Sequence, residues 1–196
     1  YIIHQFVSPH FNRRTDKWGE DRYLFAMEVV KNVLAAKAQY ASDDFIVGYR
    51  FSPEEAESPG ISMEITQTLL EKLKSYPLDY LHVSLGEVHS KTREGEYAGI
   101  ERIELLHKWI DGEMPLIGVG SVFTADQALN AIEAGNIEMI ALRRVLLLDY
   151  EFINKIETGK EDEIFEYFED DREDKYGLPE KLFQQLVNGA YSMPKK

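Results

Sequence analysis

Two rhythms of apolar residues alternate along the chain. Short β-rich runs occupy "DDFIVGYRFSP" (43–53), closed by Ser-Pro, "LDYLHVSLG" (78–86), closed by Gly, "MPLIGVGS" (114–121), and the opening of "IEMIALRRVLLL" (137–148). Between them, apolar residues recur at three and four positions. Phe25, Val29, Val30, Val33 and Leu34 predict a helix over 23–38, and Ile65, Leu69, Leu70 and Leu73 one over 63–73. Ile103, Leu106 and Ile110 predict a third over 100–110, and 125–134 is a fourth, entered through Thr124 as N-cap. The opening "YIIHQF" reads as the end of a buried strand, a fifth. The order β-α-β-α-β-α-β-α-β predicts parallel strands joined by right-handed crossovers. Periodicity alone leaves an open doubly wound sheet and part of an eight-stranded (β/α)8 barrel both available; the interrupted first strand favours the barrel.

The last forty residues differ. Residues 157–177 are dense in Asp and Glu, with Ile164, Phe165 and Phe168 enough for one short amphipathic helix, and the acid run reads as a solvated face. "LPEKLFQQLVNG" (178–189) has Pro near a helix start and Gly at its end. Both segments read as peripheral helices over a barrel rim.

Composition removes several classes of function. At 196 residues, 44% hydrophobic and 12% aromatic, the chain is globular, with enough length for one sizeable core. Its formal charge of −13 would repel a phosphate backbone, so no nucleic-acid partner is expected. No apolar run approaches the ~20 residues of a membrane span, so no membrane partner is expected either. The absence of Cys excludes disulfides, thiolate metal sites and a Cys nucleophile, and a soluble, cytoplasmic protein without a metal site is the default expectation.

In parallel α/β folds the chemistry sits at the C-terminal ends of the strands. "GVGSVFTAD" places Gly118 and Gly120 at such an end, before Thr124 and Asp126; glycines admit close backbone approach, and N–H groups at a helix start suit a phosphate. The bland alternative is an ordinary βα turn. If 114–121 and 137–143 are the closing strands of a barrel, Arg144 falls where a guanidinium could pair with that phosphate. Arg50, following "FIVGY", either faces the barrel mouth or pairs with Glu54 or Glu55. Tyr1 suits a general acid and His4 could orient a carbonyl, although a terminal Tyr can simply pack and a His in an apolar run can be a satisfied core residue.

These stretches resemble a specific family. "YIIHQFVSPHFNRRTDKWGEDRY" is similar to the old yellow enzyme segment that leads from the active-site strand into the following helix. "VGYRFSPEE" resembles the strand whose Arg contacts the flavin pyrimidine, and "PLIGVGSVFTADQALNAIEAGNIEMIALRRVLL" resembles the two closing strands that hold the FMN phosphate. "LPEKLFQQLVNG" fits a C-terminal helix found in part of the family. The resemblance spans roughly residues 1–150. It implies a TIM barrel represented by its C-terminal half, from the end of strand 4 through strand 8 (1–156), followed by an acidic helical extension (157–196). It implies an FMN-dependent oxidoreductase that takes hydride from NAD(P)H and reduces activated alkenes or similar small electrophiles. Tyr1 is then the catalytic acid, Arg50 the flavin-ring contact, and Gly120, Ser121, Arg143 and Arg144 the phosphate side.

The chain departs from the family pattern where Gly-Arg usually ends the last strand, since Arg143 stands in the Gly position before Arg144. "WGEDRY" is also shorter than the family's loop, and Tyr150 stands where Pro is common. A second reading is therefore a flavin-free barrel relative that serves as a binding or scaffold module. A third is a half-barrel that pairs with a missing N-terminal half or with another copy of itself, because open strand edges invite association.

Overall fold

The computed structural model describes residues 1–195. Four strands, β1 (Gly48–Phe51), β2 (Tyr80–Val83), β3 (Leu116–Val119) and β4 (Met139–Ala141), form one parallel sheet in the order β1-β2-β3-β4. Helices α1 (Ile2–Val7), α2 (Lys17–Glu20) and α3 (Leu24–Tyr40) precede the sheet, and α4 (Met63–Leu73), α5 (Arg102–Ile110) and α6 (Ala125–Glu133) connect its strands. Each β-α-β step adds the next strand beside the last, which is the wall of a (β/α)8-type barrel rather than a doubly wound sheet.

Alternation along the strands sets the two faces. Tyr49, Phe51, Leu81, Val83 and Leu116 are buried beneath the connecting helices. The register pairs Arg50 with His82, His82 with Ile117 and Ile117 with Met139, so these four share the opposite, more open face. Helix periodicity completes the core. In α4, Met63, Thr66, Leu69, Leu70 and Leu73 are buried behind a Ser62 cap, and in α5 Ile103, Leu106 and Ile110 are buried as their spacing predicts. Gly118 leaves room for Ile137, whose Cδ1 would lie 2.8 Å from an added Cβ.

The expected strand at the chain start is instead α1. Ile3, Phe6 and Val7 follow helical spacing: Val7 is buried, Ile3 packs against the core, and Phe6 stacks on Phe25 with ring centroids 3.9 Å apart. The two isoleucines suggested a strand, but in the six-residue helix only Ile3 turns toward the core, while Ile2 stays exposed. The sheet thus has four strands among the described residues, not five.

Beyond β4 follow α7 (Val145–Leu148), α8 (Phe152–Glu157), a 3₁₀ turn (Glu161–Glu163), α9 (Glu173–Tyr176) and α10 (Glu180–Val187), whose apolar residues pack with Phe123, Ala125 and Leu142 from the segments after β3 and β4. The acidic stretch is mostly irregular around Phe165, and Phe168, Tyr176, Phe183 and Leu186 pack with Leu148 into a small second core. No helix among the described residues is long and apolar enough to cross a membrane.

Candidate functional site

Two adjoining clefts open at the C-terminal ends of the strands, of about 440 and 650 Å³, and share Arg50, Ser84 and Arg143. The smaller also takes Gly120, Ser121 and Arg144 in its wall, and the larger takes Tyr1, His4 and Glu55. The six residues that the resemblance assigned to the site, Tyr1, Arg50, Gly120, Ser121, Arg143 and Arg144, all line this mouth, although they are spread over 144 positions of the chain.

The smaller cleft is electropositive in an acidic protein. Arg50, Arg143 and Arg144 line it, and Glu87 is the one carboxylate among its lining residues. The Arg144 guanidinium donates to Ser121 Oγ at 2.7 Å and to the Ser192 carbonyl at 2.6 Å, and lies 5.1 Å from the centroid of the Phe123 ring. Ser121 in turn donates to the Gly86 carbonyl at 2.8 Å. Arg143 lies over the Tyr191 ring, 5.0 Å from its centroid. Arg50 points to the mouth and donates to Ser84 Oγ at 2.9 Å; neither Glu54 nor Glu55 is its partner.

Backbone geometry explains two of the sequence signals differently. Gly120 has φ 136°, and a Cβ there would meet the Glu87 backbone at 2.7 Å, so the glycine joins the loops after β2 and β3. Thr124 does cap α6, but in a closed capping box: Gln127 accepts from Phe123 N and Thr124 N, and Thr124 accepts from Gln127 N. Those three N–H groups are committed within the protein and are not offered to an anion at the α6 start. The cleft's charged donors are the guanidinium groups of Arg50, Arg143 and Arg144.

Glu54 and Glu55 brace the mouth from beneath. Glu54 accepts from Arg102 Nε at 2.7 Å and Nη2 at 2.6 Å, with both side chains largely buried. Glu55, whose side chain is 5% exposed, takes His4 Nε2 at 2.7 Å, Ser8 Oγ at 2.6 Å and Ile61 N at 2.8 Å. It therefore fastens α1, and with it Tyr1, to the loop after β1. Tyr1 itself is fully exposed. The sequence offered Glu54 and Glu55 only as partners of Arg50; it carried no sign that they were buried struts.

His82, next to Arg50 on the open face, has a buried Nε2 with no hydrogen-bond partner, the one such side-chain atom among the described residues. Burial, and then the Arg50 charge, hold its pKa below the usual histidine value.

The sequence profile of the NADH:flavin oxidoreductase / NADH oxidase family matches residues 1–163. The chain belongs to that family. It is 42% identical over its whole length to a probable NADH-dependent flavin oxidoreductase of Bacillus subtilis (strain 168), of which it spans 53%. It is 39% identical, over 79% of its length, to the NADH:acrylate oxidoreductase of Vibrio harveyi, of which it spans 16%. Among solved structures, the old yellow enzyme homologue from Zymomonas mobilis superposes with a TM-score of 0.58 at 17% identity, over 81% of this chain and 44% of that one. At that identity the last likeness speaks for the fold alone. Within this flavin oxidoreductase family, the chain spans about half or less of each of these relatives.

Proposed function

We propose that this chain supplies the phosphate and pyrimidine side of an FMN site in an NAD(P)H-dependent oxidoreductase that reduces activated alkenes or similar electrophiles. The observation that carries the reading is the gathering of Arg50, Arg143 and Arg144 in one cleft of a protein with net charge −13. That donor set fits the group: Arg144 is already oriented by Ser121 and Ser192, and planar guanidinium forks match phosphate oxygens. Flavin, when bound, carries out the hydride chemistry, and the protein binds, orients and tunes it. Arg50, held by Ser84, presents positive charge at the mouth, where it can stabilise negative charge on a ring. Tyr1, exposed at the wider cleft, can deliver a proton to an acceptor seated there. The naming of acrylate, an activated alkene, for the Vibrio relative supports this acceptor class.

The test is a pair of fluorescence titrations, with FMN and with riboflavin, on the chain and on any longer protein that carries it. Charge-assisted phosphate contacts of about 1.5–3 kcal/mol give FMN a preference of roughly 10- to 100-fold, most of it removed by Arg144→Ala. Equal affinity for both flavins refutes the assignment.

One observation favours a second reading, a flavin-free binding module: a long cation, Arg143, lines the cleft where the family pattern has glycine. On that reading wild type ignores FMN and Arg143→Gly restores binding. FMN binding that is already tight and unmoved by Arg143→Gly eliminates it.

A further inference from the structure

Arg143 and Arg144 each have a partner far along the chain, and both partners lie in the same short segment. Arg143 stacks on Tyr191, and Arg144 donates to the backbone carbonyl of Ser192. That segment is itself tied down: Phe168 N donates to the Pro194 carbonyl at 2.8 Å, and Tyr191 and Met193 pack against the second core. The segment offers the arginines a ring face and a neutral carbonyl. It therefore orients both guanidinium groups without neutralising either, as a carboxylate there would.

We infer that residues 190–194 are a positioning strap for the anion cleft, holding the paired guanidinium groups of Arg143 and Arg144 for a phosphate monoester. The stack on Tyr191 also gives the unusual Arg143 a place against the cleft wall. The departure from glycine and the C-terminal segment thus belong together. This inference rests on the FMN reading above and adds to it a role for a part of the chain outside the barrel wall.

The test compares FMN with riboflavin, because the ratio of their affinities isolates the phosphate and is indifferent to general loosening of the ring site. Wild type is compared with a chain ending at Gly189, a chain ending at Pro194 that loses only Lys195 and Lys196, and the Tyr191→Ala and Tyr191→Phe variants. The FMN preference should fall on the order of tenfold in the chain ending at Gly189, and less in Tyr191→Ala. It should be retained by Tyr191→Phe, which keeps the ring, and by the chain ending at Pro194. Should the shortest chain fail to fold by circular dichroism, Tyr191→Ala against Tyr191→Phe carries the comparison. A wild-type preference for FMN that survives in both the Gly189 chain and Tyr191→Ala overturns the strap and leaves the FMN reading standing. A wild type with no such preference overturns both.

Discussion

Replacing Glu55 should uncouple α1 from the barrel mouth, and the size of the effect follows from what the carboxylate holds. Its two oxygens take three hydrogen bonds, from His4, Ser8 and Ile61, at 2.6–2.8 Å and almost out of water. Glu55→Ala leaves the Ile61 N–H, the Ser8 hydroxyl and His4 Nε2 without that partner. Removing one side of a buried, hydrogen-bonded charge of this kind costs about 3–5 kcal/mol. Glu55→Gln is milder. One amide oxygen can still serve Ser8 and Ile61, and only the charge assistance and the His4 contact change, a loss of about 1–2 kcal/mol. Urea unfolding followed by tryptophan emission is a suitable assay, because Trp18 packs on Phe6 of α1 and on Phe25 of α3. The midpoint should fall in the order wild type, Gln, Ala at an unchanged slope. Amide exchange should accelerate over Ile2–Val7 before it does in the sheet. A Glu55→Ala variant within about 1 kcal/mol of wild type, or α1 amides as protected as before, would show that α1 is held by its apolar face alone.

Two further predictions concern the strand ends. Gly120→Ala forces an L side chain into φ 136° and against the Glu87 backbone, and should destabilise the chain by about 2–4 kcal/mol in thermal or urea unfolding; a change below about 0.5 kcal/mol would contradict the close approach. His82 has a folded-state pKa below the ordinary value of about 6.5, so in acid the unfolded chain binds its proton first; its contribution is complete above about pH 6.5 and is lost as pH falls from there through the folded pKa. A chemical-shift titration of its ring proton should place the midpoint below 6.5, and a midpoint at or above that value refutes the burial argument.

How much of this was legible in the sequence depended on whether a residue's surroundings are local. The bounds of helix α4, Met63–Leu73, are those its apolar spacing gives, because Ile65, Leu69, Leu70 and Leu73 lie within one segment. The four inner strands were equally plain, as apolar runs ended by turn residues. The chain start was misread because β-branched residues weigh toward strand, while the contacts that decide for helix lie on α3, more than twenty positions away. Arg50 and Arg144 stand out as cations at strand ends, Ser121 and Arg143 only through the resemblance, and all four line one cleft. Glu54, Glu55, Tyr191 and Ser192 were not assigned these contacts. A carboxylate that braces two loops looks in sequence like any surface acid, and a backbone carbonyl has no signature at all.

The four-stranded wall has a calorimetric consequence. A folded protein of 22.6 kDa should expose about 9,500 Å², whereas this chain exposes 11596 Å². Arg50, His82, Ile117 and Met139 on the open face, with Phe45 and Ile46 beside β1, make up part of the excess. Surface already in water in the folded state contributes nothing when the chain unfolds. The heat-capacity increment should therefore fall short of the roughly 2.4–2.9 kcal/mol/K that 196 residues ordinarily give, and the dome of stability against temperature should be correspondingly shallow. Covering the open face would restore the increment, so the heat capacity of unfolding reports directly on whether that face is buried in solution.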